Sequence, residues 1–443
     1  MSISLSDHFT YKKLLRFTMP SIAMIIFTSI YGVVDGFFVS NFVGKQPFAA
    51  VNFVIPFLGI LGNIGLMFGT GGSALVAKIM GENKKEKANE IFSLLIAASI
   101  VCGIVFAALG FLFLRPVCVL FGARGQLLEG CMLYGRINLI ALPFYILQFE
   151  FQSFCSTAEK PQLGFYITAA AGLTNIILDA LLVAVFPLGL VGAAVATGLS
   201  QVVGGVVPLI YFALPNSSAL RLGKTRFDGR ALIQTCSNGA SELMSSIASS
   251  VVEMLYNVQL LRYMGEDGLA AYGAMMYLNM IFWAIFVGYS MGAAPIISYH
   301  YGAENHSELA GLFKKSLVIT GVFSVSMFIA ARALAHPLTM LYVGYDADLL
   351  ALTLHGFSIY TFSFLFVGIA IFGSSFFTAL NNGLISALIS FLRTLVFETA
   401  AILLLPLVWD ADGIWYAVVA SEMMAAFITI LFLVCKQKQY HYW

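Results

Sequence analysis

Charge is scarce in this sequence. Asp, Glu, Lys and Arg together make up 10% of its 443 residues, against about 25% in soluble domains. Polar stretches long enough to build a soluble ATPase domain are missing as well. The 23 basic and 22 acidic residues leave a net charge of +1, so the basic surface of a nucleic-acid partner is excluded. Cysteine pairs are also missing. Cys102, Cys118, Cys131, Cys155, Cys236 and Cys435 include no CxxC spacing, and they read as free thiols packed like small hydrophobes. Neither a disulfide nor a metal site is expected. A signal-cleavage pattern is missing too. The polar stretch from Met1 to Arg16 leads straight into a long apolar run, so the first helix is expected to be retained. Gly69-Thr-Gly-Gly-Ser73 is not followed by Gly-Lys-Ser/Thr, which rules out a phosphate loop. No paired catalytic groups and no large ligand domain are visible, so a membrane enzyme or receptor finds no support.

What remains is apolar. Hydrophobic residues make up 60% of the chain, and Phe alone occurs 39 times. A soluble fold of this size cannot hide that much apolar surface, so the expected solvent is the lipid bilayer. A spanning helix needs about 20 mostly apolar residues. Twelve segments qualify: roughly 14–40, 48–77, 90–114, 128–155, 162–186 and 190–213, then 231–263, 268–298, 312–335, 349–379, 384–408 and 413–435. Turn chemistry separates them, as at Gly81-Glu82-Asn83, Phe186-Pro187-Leu188-Gly189 and Asp410-Ala411-Asp412-Gly413. The fold class is therefore all-α integral membrane with twelve transmembrane helices. With both termini inside, the inner side holds 16 of the 23 Lys and Arg residues. The outer side holds Lys45, Arg115, Arg124, Arg136, Arg262 and Arg332, and Arg393 falls inside a span. That asymmetry places both termini in the cytoplasm of a cell-membrane protein.

The sequence repeats. A shift of 221 residues lays Gly44 on Gly265, Gly71 on Gly292, Gly81 on Gly302 and Phe92 on Phe313. It also lays Phe151, Ser153, Thr157 and Ala158 on Phe372, Ser374, Thr378 and Ala379, and Gly192 and Ser200 on Gly413 and Ser421. Two six-helix bundles follow, 1–214 and 231–443, joined by a cytoplasmic linker at 215–230. Six spans per half make the repeats parallel, related by a pseudo-twofold axis along the membrane normal, with a central substrate site open to alternate sides.

Acids inside the membrane carry the functional information, because a mid-span charge costs roughly 2.5–3.5 kcal/mol on insertion scales. In the first half these are Asp35 and Asp179, with Glu150 near an inner helix end. Counting at 1.5 Å per residue puts Asp35, Asp179 and Thr197 roughly 10–12 Å below the outer end. Asn175 lies one turn from Asp179 on the same face. Helices one, five and six thus supply a polar cluster at one depth. Two carboxylates there suit uptake of a proton, or of Na⁺ through oxygen ligands; the alternative is that they only hydrogen-bond helices together. The second half holds Glu242, Glu253, Glu398 and Glu422 with Arg393. Glu242 and Glu253 share a helix face, and Arg393 is expected to pair with one of the acids in a polar network. Pro20 removes a hydrogen bond from the first span and marks a hinge or a passive kink. The glycines of the second span, Gly59 to Gly72, read as close packing or as local unwinding. His300 and His306 are expected at the surface. The many Phe and Met residues suit a broad cavity.

Two six-span halves, Pro20 and Asp35 in helix one, Asn175 and Asp179 in helix five, and Thr197 in helix six resemble the MATE (multidrug and toxic compound extrusion) transporters. Tyr299-His-Tyr-Gly302-Ala303 resembles the signature of their MepA-like bacterial branch. The resemblance implies a V-shaped pair of bundles working without a cofactor as a monomeric antiporter. It implies export of small organic, cationic or amphipathic compounds in exchange for H⁺ or Na⁺. It also implies a cation-coupling site at Asp35, Asn175 and Asp179, supported by Thr197. Some branches carry a second-lobe pair, a Glu in helix seven and an Asp in helix ten. Here helix ten has no acid beyond Asp348, and Glu253 matches the Glu only loosely. The alternative is a flippase of lipid-linked precursors, for which only Arg393 offers a cavity base.

Overall fold

The computed structural model describes residues 3–344 and 346–443; of Lys45, Glu266, Leu341 and Tyr342 only the backbone is described. Met1 and Ser2, at the start of the polar leader, lie outside the described residues.

Twelve helices follow one another. They are α1 Tyr11–Val43, α2 Gln46–Gly81, α3 Lys85–Leu120, α4 Gly125–Thr157, α5 Pro161–Val185 and α6 Gly189–Ala213. Then come α7 at 229–264, α8 Asp267–Gly302, α9 His306–Met340, α10 Ala347–Ala379, α11 Gly383–Leu404 and α12 Pro406–Tyr440. Eleven of these are long and apolar enough to cross a membrane; α7, with Glu242, Glu253 and several Ser, is the exception among the described residues. Most run several residues past the expected apolar segments. Their polar ends continue the backbone hydrogen-bond ladder beyond the hydrocarbon, which a helix in lipid must keep unbroken. α7 and α8 join at Gly265, whose φ of 66° favours glycine. The turn expected at Asp410–Gly413 is a sharp break at Asp410, with φ of 47°.

Both termini lie at one end. Leu5 and Phe9 are fully buried there. Glu159, after α4, accepts from Ser4 Oγ at 2.6 Å and from the Leu5 amide at 2.8 Å. Glu308, at the start of α9, meets His8 Nδ1 at 2.6 Å and accepts from the Phe9 amide at 2.9 Å. The N-terminal segment therefore ties α4 to α9. His300, expected at the surface, is 2% exposed and packs edge-on against the Phe9 ring. The segment between α6 and α7 is laid along the start of α3. Arg221 N donates to Asn89 Oδ1 at 2.9 Å, and Gly223 N donates to Ser93 Oγ at 2.9 Å.

The first six helices meet the last six through glycines, and the meeting obeys the 221-residue offset. A Cβ on Gly81 of α2 would strike the Tyr299 carbonyl of α8, and one on Gly302 would strike the Lys78 carbonyl of α2. These pairs are each other's repeat mates. Likewise Gly71 crosses α7 at Gly239, while Gly292 crosses α1 at Thr18, the repeat mate of Gly239. From Gly62 to Gly72 the glycines of α2 thus form a packing surface, and the helix is interrupted within the run, at Asn63. Asn63 Nδ2 donates to Ser246 Oγ. Among the described residues, the hydrogen bonds joining the two sets of helices lie between that pair and the terminal end. α1 runs unbroken through Pro20.

At the α2–α7 crossing, Gly239 lies so near Met67 that an added Cβ would sit 2.8 Å from its carbonyl carbon. Backbone cannot yield there, so Gly239→Val is expected to destabilise by about 1–3 kcal/mol. A thermal melt of the purified protein in detergent that matches the parent would contradict this crossing.

Candidate functional site

Three apolar helices each carry polar groups to one point in the first half. α1 supplies Asp35, α5 supplies Asn175 and Asp179, and α6 supplies Thr197. The Thr197 hydroxyl has two acceptors in reach, the Ala193 carbonyl at 3.0 Å and Asp35 Oδ1 at 3.5 Å. The Asp35 carboxylate also faces Asp179 and Asn175. Asp179 is 0% exposed and Asn175 is 1% exposed, and the side-chain oxygens of both lack a hydrogen-bond partner. All four residues expected from counting along the helices are therefore together. Tyr134 of α4 joins them, its hydroxyl 3.4 Å from Thr197 Oγ1. Nothing in the sequence singled out Tyr134 among 19 tyrosines.

The backbone is irregular beside both acids. A π-helical segment occupies Val39–Val43, one turn beyond Asp35, and another, Ala180–Val185, begins directly after Asp179. Such segments shift the hydrogen-bond register and are frequent at functional sites. Chemically, the pocket offers only hard oxygen donors. Two carboxylates facing each other, one of them sealed from water, repel, and a compensating cation relieves that repulsion. A proton or a small monovalent cation with oxygen ligands meets that need. No group of three or more His, Cys, Asp or Glu able to hold a metal exists among the described residues. All six cysteines are free thiols.

The second half builds something different from its charged residues. Arg393 of α11 forms a two-pronged ion pair with Glu422 of α12. Its Nε lies 3.0 Å from both carboxylate oxygens, and Nη2 lies 2.7 Å from Oε1. The expected Arg–acid pair is therefore present, with Glu422 as the partner. Both residues line a cavity of about 330 Å³ together with Glu253 and Glu398. Tyr272, Trp283, Tyr360 and Phe364 supply aromatic wall. Glu242 is not among the lining residues. It shares a face with Glu253, but eleven residues of helix separate the two by roughly 16 Å. The network expected from the sequence thus splits, with four members at the cavity and one apart. A third π-helical segment, Leu392–Phe397, carries Arg393.

Comparison with known proteins now has a geometry to meet. The profile of the MatE family matches residues 20–181 and 243–401. The chain belongs to the MATE transporter family. As a MATE transporter it is a multi-pass membrane protein rather than an enzyme. It is 24% identical over 418 residues to the multidrug export protein MepA of Staphylococcus aureus strain MSSA476, covering 94% of this chain and 92% of that one. MepA of Staphylococcus saprophyticus is 25% identical over 366 residues, covering 81% and 80%. The MATE fold itself is matched by a crystal structure of a MATE protein in complex with MaL6, with a TM-score of 0.92 at 19% identity over 98% of both chains. An outward-facing multidrug resistance MATE transporter of the MOP superfamily gives 0.92 at 19% identity, covering 98% and 97%. A MOP superfamily transporter from Pyrococcus furiosus, noted for reverse polarity of its binding pocket, gives 0.90 at 19%, covering 98% and 97%.

The Arg393–Glu422 pair generates a stability prediction. Arg393→Met leaves Glu422 buried without its cation and is expected to cost about 3–5 kcal/mol, while the double variant Arg393→Met, Glu422→Leu recovers most of that loss. Thermal unfolding of the three proteins checks it; equal losses in the single and double variants would contradict the pairing.

Proposed function

We propose that this transporter exports small organic, cationic or amphipathic compounds by alternating access, in exchange for H⁺ or Na⁺. The carrying observation is the cluster of Asp35, Asn175, Asp179 and Thr197, with Asn175 and Asp179 buried, two facing carboxylates and no basic ion-pair partner among the described residues. Such a set gains most from a cation when the site is closed and loses it when the helices part. Exchange follows if substrate and cation stabilise opposite arrangements of the halves. The relatives named for multidrug export support the substrate class.

In this reading, residues 1–214 and 231–443 are the two lobes, with 215–230 as a cytoplasmic linker. Both termini face the cytoplasm, as the basic residues favour, and one chain is the working unit. Substrate enters the cleft between the lobes from the inner side. Cation uptake at Asp35 and Asp179 bends α1 near Pro20, and the lobes rock. A flippase of lipid-linked precursors would need free basic groups in the cleft, and the guanidinium of Arg393 is held by Glu422.

Asp35→Asn is expected to abolish dye efflux, a loss of at least about tenfold, with membrane insertion and expression unchanged. Efflux from everted vesicles at the parental rate would sink this role. Imposing a pH gradient and a sodium gradient separately on parental vesicles identifies the ion. Dye movement under neither gradient would count against antiport altogether.

A further inference from the structure

The buried polar groups of the first half do not stop at the acid cluster. On α5, Thr168, Gly172, Asn175 and Asp179 follow one another at helical spacing, and all four are buried. On α4, Gln148 and Gln152 are 4% and 3% exposed. Gln148 Oε1 and both amide atoms of Gln152 have no hydrogen-bond partner among the described residues. The two glutamines line a void of about 10 Å³ together with Cys155, Gly164, Thr168 and Gly204. That is about the room one water needs, and a water is what satisfies buried amides of this kind. Gly204 of α6 makes space for the site, since a Cβ there would lie 2.6 Å from Gln148 Cδ.

The void has a polar neighbour at each end. Toward the acids, Tyr31 of α1 faces Gln148. Its ring is seated on Gly172, where a Cβ would lie 2.7 Å from it. Tyr31 is one turn from Asp35 on the same face of α1. Toward the terminal end, Gly164 lies in the first turn of α5. There Pro161, Gln162 and Leu163 line a groove of about 300 Å³ with Arg16 and Lys160. Tyr166, on the wall of that groove, is 65% exposed, so the groove is open. Fifteen residues of α5 separate Asp179 from Gly164, and the polar line spans roughly 22 Å.

We propose that a water held by Gln148, Gln152 and Thr168 carries the coupling proton from the Asp35–Asp179 pair to the cytoplasmic side. This exit rests on the proton form of the antiport reading. A carboxyl O–H of the pair gives its proton to the Tyr31 hydroxyl oxygen as that hydroxyl passes its own proton to the water. The water releases one of its protons into the terminal groove. Tyrosine and water end as they began, and the acid pair is one proton poorer. The amides hold the water and take no proton. Here Asp35 is turned to Asp179, Asn175 and Thr197, so the line is broken at its first step. That break keeps a pH gradient from leaking, and the bend of α1 proposed above closes it.

The test uses the full chain in proteoliposomes, with ethidium transport driven by an imposed pH gradient, and a high-resolution crystal structure of the parent. Tyr31→Phe, Gln152→Leu and Thr168→Val are each expected to slow transport about tenfold and to enlarge its slowing in D2O. Ethidium binding at equilibrium in detergent is expected to match the parent, because a proton path sets a rate and not an affinity. Thr168→Ser restores the hydroxyl and is expected to recover most of the rate lost in Thr168→Val. The crystal structure is expected to show a water within hydrogen-bond reach of Gln148 and Gln152. A dry site, or parental rates in the folded variants, would overturn the proposal. So would ethidium binding weakened as much as transport, which marks these groups as structural. A parent that moves no ethidium under a pH gradient overturns the proton reading and the path together. A parent that does, with variants that are not slowed, overturns the path alone.

Discussion

A carboxylate inside the hydrocarbon must be neutralised, paired or opened to water, and each choice shapes the helices around it. Here the two halves settle that demand differently. In the first half, Asp35 and Asp179 face each other with Asn175 and Thr197, and among the described residues no Lys or Arg pairs with them. In the second half, Glu422 is paired outright with Arg393, while Glu253 and Glu398 border a cavity. The backbone departs from regular α-helix at the same places. Its π-helical segments sit next to Asp35, next to Asp179 and at Arg393.

The contact between the halves is concentrated toward one end of the molecule. It is built from glycines, and its members exchange places under the 221-residue offset, as Gly81 on Tyr299 and Gly302 on Lys78 do. Backbones this close make a defined fulcrum at the terminal end. The N-terminal segment adds to it, since Glu159 and Glu308 grip Ser4, Leu5, His8 and Phe9 from both halves. A transporter needs such a closed end to be strong yet breakable. Hydrogen bonds at an aqueous boundary serve that need, because water replaces them at small net cost.

Much of the first-half site was legible from sequence because acids in an apolar run are conspicuous, and because helical rise converts position into depth. The same counting could not find Tyr134, since a tyrosine in a span is as readily core as ligand. It overreached with Glu242, which shares a face with Glu253 but not a depth. His300 was misplaced because its polar neighbours suggested a surface, whereas the N-terminal segment folds back over it.

By itself, then, the sequence determined the solvent, the number of helices, the repeat and which acids fall inside the spans. Each of these follows from local composition and the fixed geometry of a helix. Tertiary structure alone decided which acids are paired and which are free, since that depends on helices far apart in the chain. It also decided that Asn175 and Asp179 of the first half are buried while the second half leaves a cavity of about 330 Å³ beside its acids. Cavity volume is a property of how twelve helices diverge, and no single helix encodes it.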